Sequence, residues 1–548
     1  MATVDMAVRF QNVHERLLVG CACEIKQELN SLVDHGFVDL LGGKLLQEET
    51  LLGLTVLYAM SETLRKSSQM KAICPIIQDA LATLVQKEIL GNLLSLQLLS
   101  PDKFVAHCCL LTLNSLARCS KDLQEAFFGA LDKRLDILGT VPVNEKTRFC
   151  QLITFLLTAD IRSSHPEEAT DMSCPAPAVS TMQAANLDDF SSGISSAAEK
   201  CLHSMLPCLQ NEASHDTLYP TLCLWLKLVQ SRPSMEVLGG LLPQHFVQWS
   251  AGEDPLVART VLEILDRSLQ PAIEEAKLSK VPPWVPLIGQ QVIEAVHRGW
   301  LDQLHFRTGF CGFAGPAGSL AANTQSEFFF PVIEAQGDSR VIRLAMLVLM
   351  KSSTACLMQG MQEGLPKALE AGLTWLRSKT GVAASVPDAD CLVQLFLEQD
   401  DQLMECLLSE LLLHLHKPSI WTATTAIANP HRMFLKFLGS LGNDHVTLID
   451  FLTSQETCAL LYFVRYLKLL LSDWDNFLKC HSELSVSSEV HNTSAQETCA
   501  QLDVTMATLV RTRMKLEKMT QKHDLLPFSV APLVRLIERC EDIYESVS

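Results

Sequence analysis

The twelve residues Asp254–Leu265, DPLVARTVLEIL, carry the pattern on which the fold of the whole chain turns. Asp254 is followed by Pro255, then by apolar side chains at Val257, Ala258, Leu262 and Leu265, offsets 3, 4, 8 and 11 from the aspartate. Those offsets share one helical face. The aspartate can accept hydrogen bonds from unpaired amides of the first turn, and proline suits the first helical position. The same grammar recurs at Asp102 with Val105, Ala106, Leu110 and Leu113, and at Asp338 with Val341, Ile342, Met346 and Leu349. A fourth copy is Asp400 with Leu403, Met404, Leu408 and Leu411. Pro101, directly after Ser100, is expected to be a first helical residue like Pro255. Repeated capped amphipathic helices build HEAT and armadillo folds, so the expected class is all-α, an irregular α-solenoid of HEAT/armadillo-like helical repeats. The aspartates keep no fixed period, which leaves an irregular helical bundle as the alternative.

Composition agrees with this class. A chain of 548 residues exceeds one compact core. Apolar residues at 48% exclude general disorder. Gly and Pro are few, 25 and 23, and Leu-rich runs replace alternating β-branched residues, as in helices. A formal charge of −18 opposes a general nucleic-acid or anionic-membrane surface but leaves room for a local basic face. Nineteen cysteines without a CxxC pair suit a reducing compartment, where a free thiol packs as a small hydrophobe. The first residues, MATVDMAVRFQNVHERLL, have charges throughout and lack a signal-peptide core. No run reaches the roughly 18 uncharged apolar residues of a membrane span. The expectation is a cytoplasmic and nuclear protein, not a membrane one, and Asn492-Thr493-Ser494 is a glycosylation triplet by pattern only.

Five regions are expected: an N-terminal helical region 1–162, a flexible Pro/Ser-rich linker 163–196, a central helical domain 197–480, a polar loop 481–497 and a C-terminal helical module 498–548. The linker, SSHPEEATDMSCPAPAVSTMQAANLDDFSSGISS, lacks apolar periodicity, and helical pattern resumes near Ala197. Thr308–Gly318, TGFCGFAGPAG, has glycine at every third position, but no Lys-Ser/Thr follows to make a phosphate cradle, so it is expected to be a loop.

The segment Asp450–Asp475, DFLTSQETCALLYFVRYLKLLLSDWD, admits two chemistries. Cys458 could serve a cysteine hydrolase, with His431 or His445 as the nearest histidines in sequence to form the thiolate. Alternatively Thr453-x-x-Glu456 is a capping box, and Cys458 packs at the head of a buried helix. The second account uses every residue and is preferred. QETC recurs at Gln455–Cys458 and Gln496–Cys499, with Ser494-x-x-Glu497 as a second box, at a separation within the armadillo range of roughly 40–47 residues. Arg465 and Lys468 stand one turn apart on an exposed or partner-facing strip.

Metal ligation would need several Cys, His or carboxylate groups on a compact frame. Cys201-x-His203-x4-Cys208, Cys21-x-Cys23 and Cys108-Cys109 each lack a second half, and His414 and His416 diverge on a helix. Neither metal nor cofactor is expected. Arg511, Lys515, Lys518 and Lys522 step along one helix face near Arg513, with Met506, Val510 and Met514 on an adjoining face. Such a stripe is a solvated face, an intramolecular docking face, or a contact for an acidic partner or nucleic acid. The candidate partner-binding residues are therefore Arg465, Lys468, Arg511, Lys515, Lys518 and Lys522.

GDSRVIRLAMLVLMKSS (Gly337–Ser353), LFLEQDDQLMECLL (Leu395–Leu408), NPHRMFLKFL (Asn429–Leu438) and Asp450–Asp475 together resemble the Lines protein family. LLPFSVAPLVRLIERCEDIYE (Leu525–Glu545) resembles its short C-terminal module. The resemblance implies a non-enzymatic regulator tied to developmental patterning and Wnt/Wingless-type signalling. It implies action through protein partners in cytoplasm and nucleus, and it supplies no catalytic residue. A protein-interaction scaffold is the function expected, with a cysteine hydrolase or a nucleic-acid-associated factor as alternatives.

Overall fold

The structure is a computed structural model that describes residues 3–19, 22–41, 45–70, 74–162, 187–210, 215–231, 242–252, 254–274, 281–304, 339–416, 428–486, 495–521 and 530–547. Every regular element among them is helical, in line with the expected all-α class. The chain divides into two units, Met1–Ser231 and Arg232–Ser548.

In the first unit helices pack mainly on helices close by in sequence. Lys103–Ala117 lies on Gln47–Met70 and Ile89–Leu99, and Val143–Arg162 on Leu187–Gln210 and His215–Ser231. Asp102 caps its helix as expected, with Oδ1 accepting from the amides of Phe104 at 2.7 Å and Val105 at 3.1 Å. Pro101 lies outside that helix, contrary to expectation, because the extended backbone of Asp102 comes between them. Residues 163–186 of the expected linker lie outside the described residues. Residues 187–196 are not linker but open the Leu187–Gln210 helix, so helix begins before Ala197. Phe190, Ile194, Ala198 and Cys201 are buried at helical spacing, and Phe190 clusters with Phe127 and Phe128.

The second unit is organised around Ser339–Met358, hereafter the central helix. Every residue from Val341 to Leu357 is buried, under Pro255–Leu269, Trp284–His297, Leu365–Thr380 and Asp400–His416. Among the described residues it is the one helix long and apolar enough to cross a membrane, and 94% of that window is buried inside the protein. Gly289 permits the close approach of Trp284–His297: a Cβ there would meet the Ser352 carbonyl at 2.9 Å. Asp254 caps Pro255–Leu269 through the Leu256 amide at 2.7 Å, and Val257, Ala258, Leu262 and Leu265 are buried. Asp338 lies outside the described residues, while Val341, Ile342, Met346 and Leu349 are buried as expected. Asp400 is not a cap. Helical bonding starts at Gln399, whose carbonyl accepts from the Leu403 amide, so Asp400 already sits in the first turn.

The polar stretch 481–497 is helical at both ends, since Trp474–Val486 runs through it to 486 and Ala495–Gln521 begins at 495. Residues 487–494 and the glycine-rich 308–318 lie outside the described residues.

At the heart of the second unit Lys351, with a fully buried side chain, donates from Nζ to Asp266 Oδ1 at 2.6 Å, Gln270 Oε1 at 2.6 Å and Glu405 Oε2 at 2.8 Å. All three ammonium protons have an acceptor. Burial alone would lower the lysine pKa, and the carboxylates of Asp266 and Glu405 reverse this and raise it. Burial raises the Glu405 carboxyl, and Lys351 opposes that shift. One turn on, Glu410 is fully buried, accepts the Ala428 amide at 3.1 Å, and is pushed by burial up to about 8.

Removing one partner of a buried ion cluster strands the others. Lys351→Met is expected to cost about 3–5 kcal/mol in urea unfolding of the full chain, and adding Asp266→Asn with Glu405→Gln to restore most of it. A Lys351→Met chain as stable as wild type would refute the cluster's role. Glu410 ionises near 4.5 when unfolded and near 8 when folded. Over that window the folded state binds more protons, so stability is full below about 4.5 and falls as pH rises to about 8. Glu410→Gln, which keeps an acceptor for Ala428, should flatten that slope, a difference of roughly 3 kcal/mol at pH 7. Thermal melts across the window read it directly.

Candidate partner-binding surfaces around a closed thiol site

The helix of the Cys458 segment does not start as a capping box. Thr453 is the last residue of His445–Thr453, and its hydroxyl donates back to the Ile449 carbonyl at 3.0 Å. Ser454 Oγ instead accepts the Glu456 amide at 3.2 Å, and the next helix, Ala459–Ser472, begins after Cys458. Thr457 Oγ1 accepts from the Ala459 amide at 3.4 Å, so turn and cap are made by neighbouring hydroxyls. The second box includes Ser494, outside the described residues. Cys458 is half-buried at the helix head, and its thiol is pushed up to about 12, first by burial and next by the nearby Glu405 carboxylate. A nucleophile needs the opposite shift.

Ala459–Ser472 is buried on one face rather than all round. Tyr462, Phe463, Tyr466, Leu467 and Leu470 point inward, and Tyr466 stacks on Phe434 with ring centroids 4.0 Å apart. Arg465 does not lie on an exposed strip: it is half-buried and donates to the Ile273 carbonyl at 3.1 Å. Burial lowers its pKa. Lys468 alone of that pair is exposed.

His431, considered in sequence only as a partner for Cys458, belongs to a different group. Asn429 caps Pro430–Ser440 and puts His431 in the first turn. Its Nδ1 lies 3.2 Å from Tyr466 Oη and its Nε2 3.2 Å from Asp473 Oδ2. Burial lowers its pKa, against the pull of Asp473. The spacing of His431, Tyr466 and Asp473 in sequence gives no hint of this contact.

On Ala495–Gln521 the expected basic residues divide. Arg511, Lys515 and Lys518 are exposed, and Lys522 lies outside the described residues. Thr505, Met506, Thr508, Leu509, Thr512 and Leu516 form the buried face. Arg513 is held by Glu541 through bonds of 2.8 and 2.9 Å and by Glu517 at 2.8 Å, and these carboxylates raise its pKa. Met506 is buried, whereas Met514 is 46% exposed beside the cations.

The metal candidates are dispersed. Cys201 Sγ lies 3.6 Å from Cys150 Sγ, His203 faces solvent, and the side chain of Cys208 is outside the described set. Cys21 is also outside it, Cys109 is buried and Cys108 half-buried. Among the described residues no three His, Cys, Asp or Glu side chains gather as a metal site. Because the Cys458 thiol stays protonated, iodoacetamide at neutral pH should leave it unmodified in the native chain and alkylate it in denaturing urea. Rapid native alkylation read by peptide mass spectrometry would reopen the hydrolase assignment.

Comparison with known proteins finds similarity over part of the chain. Residues 283–481 match the family model described as Lines N-terminus. The chain is similar to Protein lines of Drosophila melanogaster, 33% identical over 158 residues, 28% of this chain and 17% of that protein. It is similar to Protein Lines homolog 1 of Homo sapiens, 35% identical over 164 residues, 26% of this chain and 21% of that protein. The chain thus spans about a fifth or less of these relatives' length. Among solved structures, SYS-1 aligns over 94% of this chain and 91% of its own at 11% identity, with a TM-score of 0.35. A circular tandem repeat protein aligns over 96% of both chains at 12% identity, with a TM-score of 0.22. The match over residues 283–481 and these two partial relatives make the chain similar to the Lines family.

Proposed function

We propose that this protein is a non-enzymatic interaction scaffold that regulates developmental, Wnt/Wingless-type signalling or transcription through protein partners, in cytoplasm and nucleus. Similarity to the Lines family supports the developmental setting. One observation carries the scaffold assignment. Lys351, Arg465 and Arg513 are bound inside the fold, while Arg511, Lys515 and Lys518 stand exposed on one helix face and form no ion pair with any described residue. Charge spent internally holds a fold, and charge left on a surface is available to a partner. The raised Cys458 thiol gives the hydrolase alternative no support.

Proximity labelling with the full chain fused to a labelling enzyme tests this. Reproducible protein neighbours in both cytoplasmic and nuclear fractions are expected, beyond those of the free enzyme. A neighbour set equal to that of the free enzyme would reject the scaffold, and confinement to one fraction would reject the dual location.

A further inference from the structure

The exposed face of Ala495–Gln521 is more than a row of charges. Val504, Ala507, Arg511, Met514 and Lys518 step by three or four residues along it, and Lys515 follows Arg511 by four. Val504 and Met514 are each 46% exposed, so two large apolar side chains stand among three cations. From Val504 to Lys518 the face runs about 20 Å at 1.5 Å per residue. Resting on the scaffold assignment, we propose that this face binds an acidic segment of a partner protein that also presents apolar side chains, most simply an acidic amphipathic helix.

Two contrasts define that occupant. Two residues from Arg511 and from Lys515, Arg513 is neutralised by Glu517 and Glu541, so the protein pairs this helix's charge where it serves docking. The three exposed cations have no such partner among the described residues, and an occupant carrying carboxylates completes them. Exposed ion pairs contribute little each and weaken with salt, so charge alone gives a weak, unspecific contact. Burying Met514 and Val504 adds the apolar contribution that charge lacks, and thioether side chains adapt to varied apolar partners.

Nucleic acid fits this face less well. It has no aromatic side chain on which bases could stack. The neighbouring Ala531–Val547 helix exposes Glu538, Asp542 and Glu545 interspersed with Arg535 and Arg539, so the cations of this face do not extend into a continuous basic track that a phosphate backbone could follow.

Four fluorescent probes titrated against the full chain decide the matter: an amphipathic helical peptide of glutamate and leucine, its lysine-for-glutamate counterpart, an oligoglutamate of equal length, and a single-stranded oligonucleotide. The acidic amphipathic peptide should bind best, and less tightly as salt rises from about 0.05 to about 0.5 M. Arg511→Glu, Lys515→Glu and Lys518→Glu together should weaken it at least about tenfold. Met514→Ser should weaken that peptide about fivefold and leave oligoglutamate unchanged. Circular dichroism melts confirm that each variant is folded.

Three results overturn the proposal: no saturable binding of the acidic amphipathic peptide, binding indifferent to charge reversal, or binding no better than oligoglutamate and indifferent to Met514→Ser. Preference for the oligonucleotide overturns it in favour of a nucleic-acid surface. Any of these leaves the proximity-labelling outcome standing, so the scaffold and its particular docking face fail separately.

Discussion

A single ammonium group, with no solvent in reach, sets the architecture of the second unit. Lys351 lies on the most buried helix, where a charge without partners would be strongly unfavourable. Its three acceptors come from Pro255–Leu269, from Gln270 just beyond it, and from Asp400–His416, so flanking segments must arrive at one depth and one rotation. Apolar contacts around the central helix tolerate sliding by a fraction of a turn, but a three-acceptor ammonium does not. A buried ion cluster is a weak source of net stability and a strong source of uniqueness, as polar core groups are in coiled coils.

The same discrimination organises the rest of the charge. Arg465 fastens Ala459–Ser472 to the Ile273 carbonyl, and His431 bridges Tyr466 and Asp473 within an aromatic cluster. Arg513 joins the last two long helices through Glu541. In each case one polar side chain ties helices from different parts of the chain, while leucine and phenylalanine supply the bulk of burial. Irregular helical stacks need such ties, because no strict repeat fixes the rotation of one helix on the next.

Much of the helical framework was legible in sequence because apolar periodicity and caps are local signals. The Asp254 and Asp102 caps and their buried faces follow from neighbours within a dozen residues. Local signals also mislead where a pattern spans a boundary. Thr453 and Glu456 have the spacing of a box, yet a helix end passes between them. Phe190 and Ile194 keep helical spacing, but the serines around them gave the stretch the composition of a linker. Contacts across long separations left no trace at all. Lys351 carries no local sign of its role, and Arg465 reads as part of an exposed or partner-facing strip with Lys468, until distant segments meet them. Of the candidate site, the exposure of Arg511, Lys515 and Lys518 was predictable from their stepping, whereas the exposure of Met514 depended on which face the body took.

The positions of the lysine's acceptors bear on where the family-like stretch ends and the mutually supported core begins. The family match starts at residue 283, yet Asp266 and Gln270 precede it. A fragment cut at the edge of likeness would keep Lys351 and Glu405 and lose two of the three acceptors. The stretch that matches the family model and the stretch that satisfies the buried lysine are therefore different parts of this chain. The helix lying before residue 283 is not an appendage to the matched region, because it supplies acceptors that the buried ammonium of that region needs.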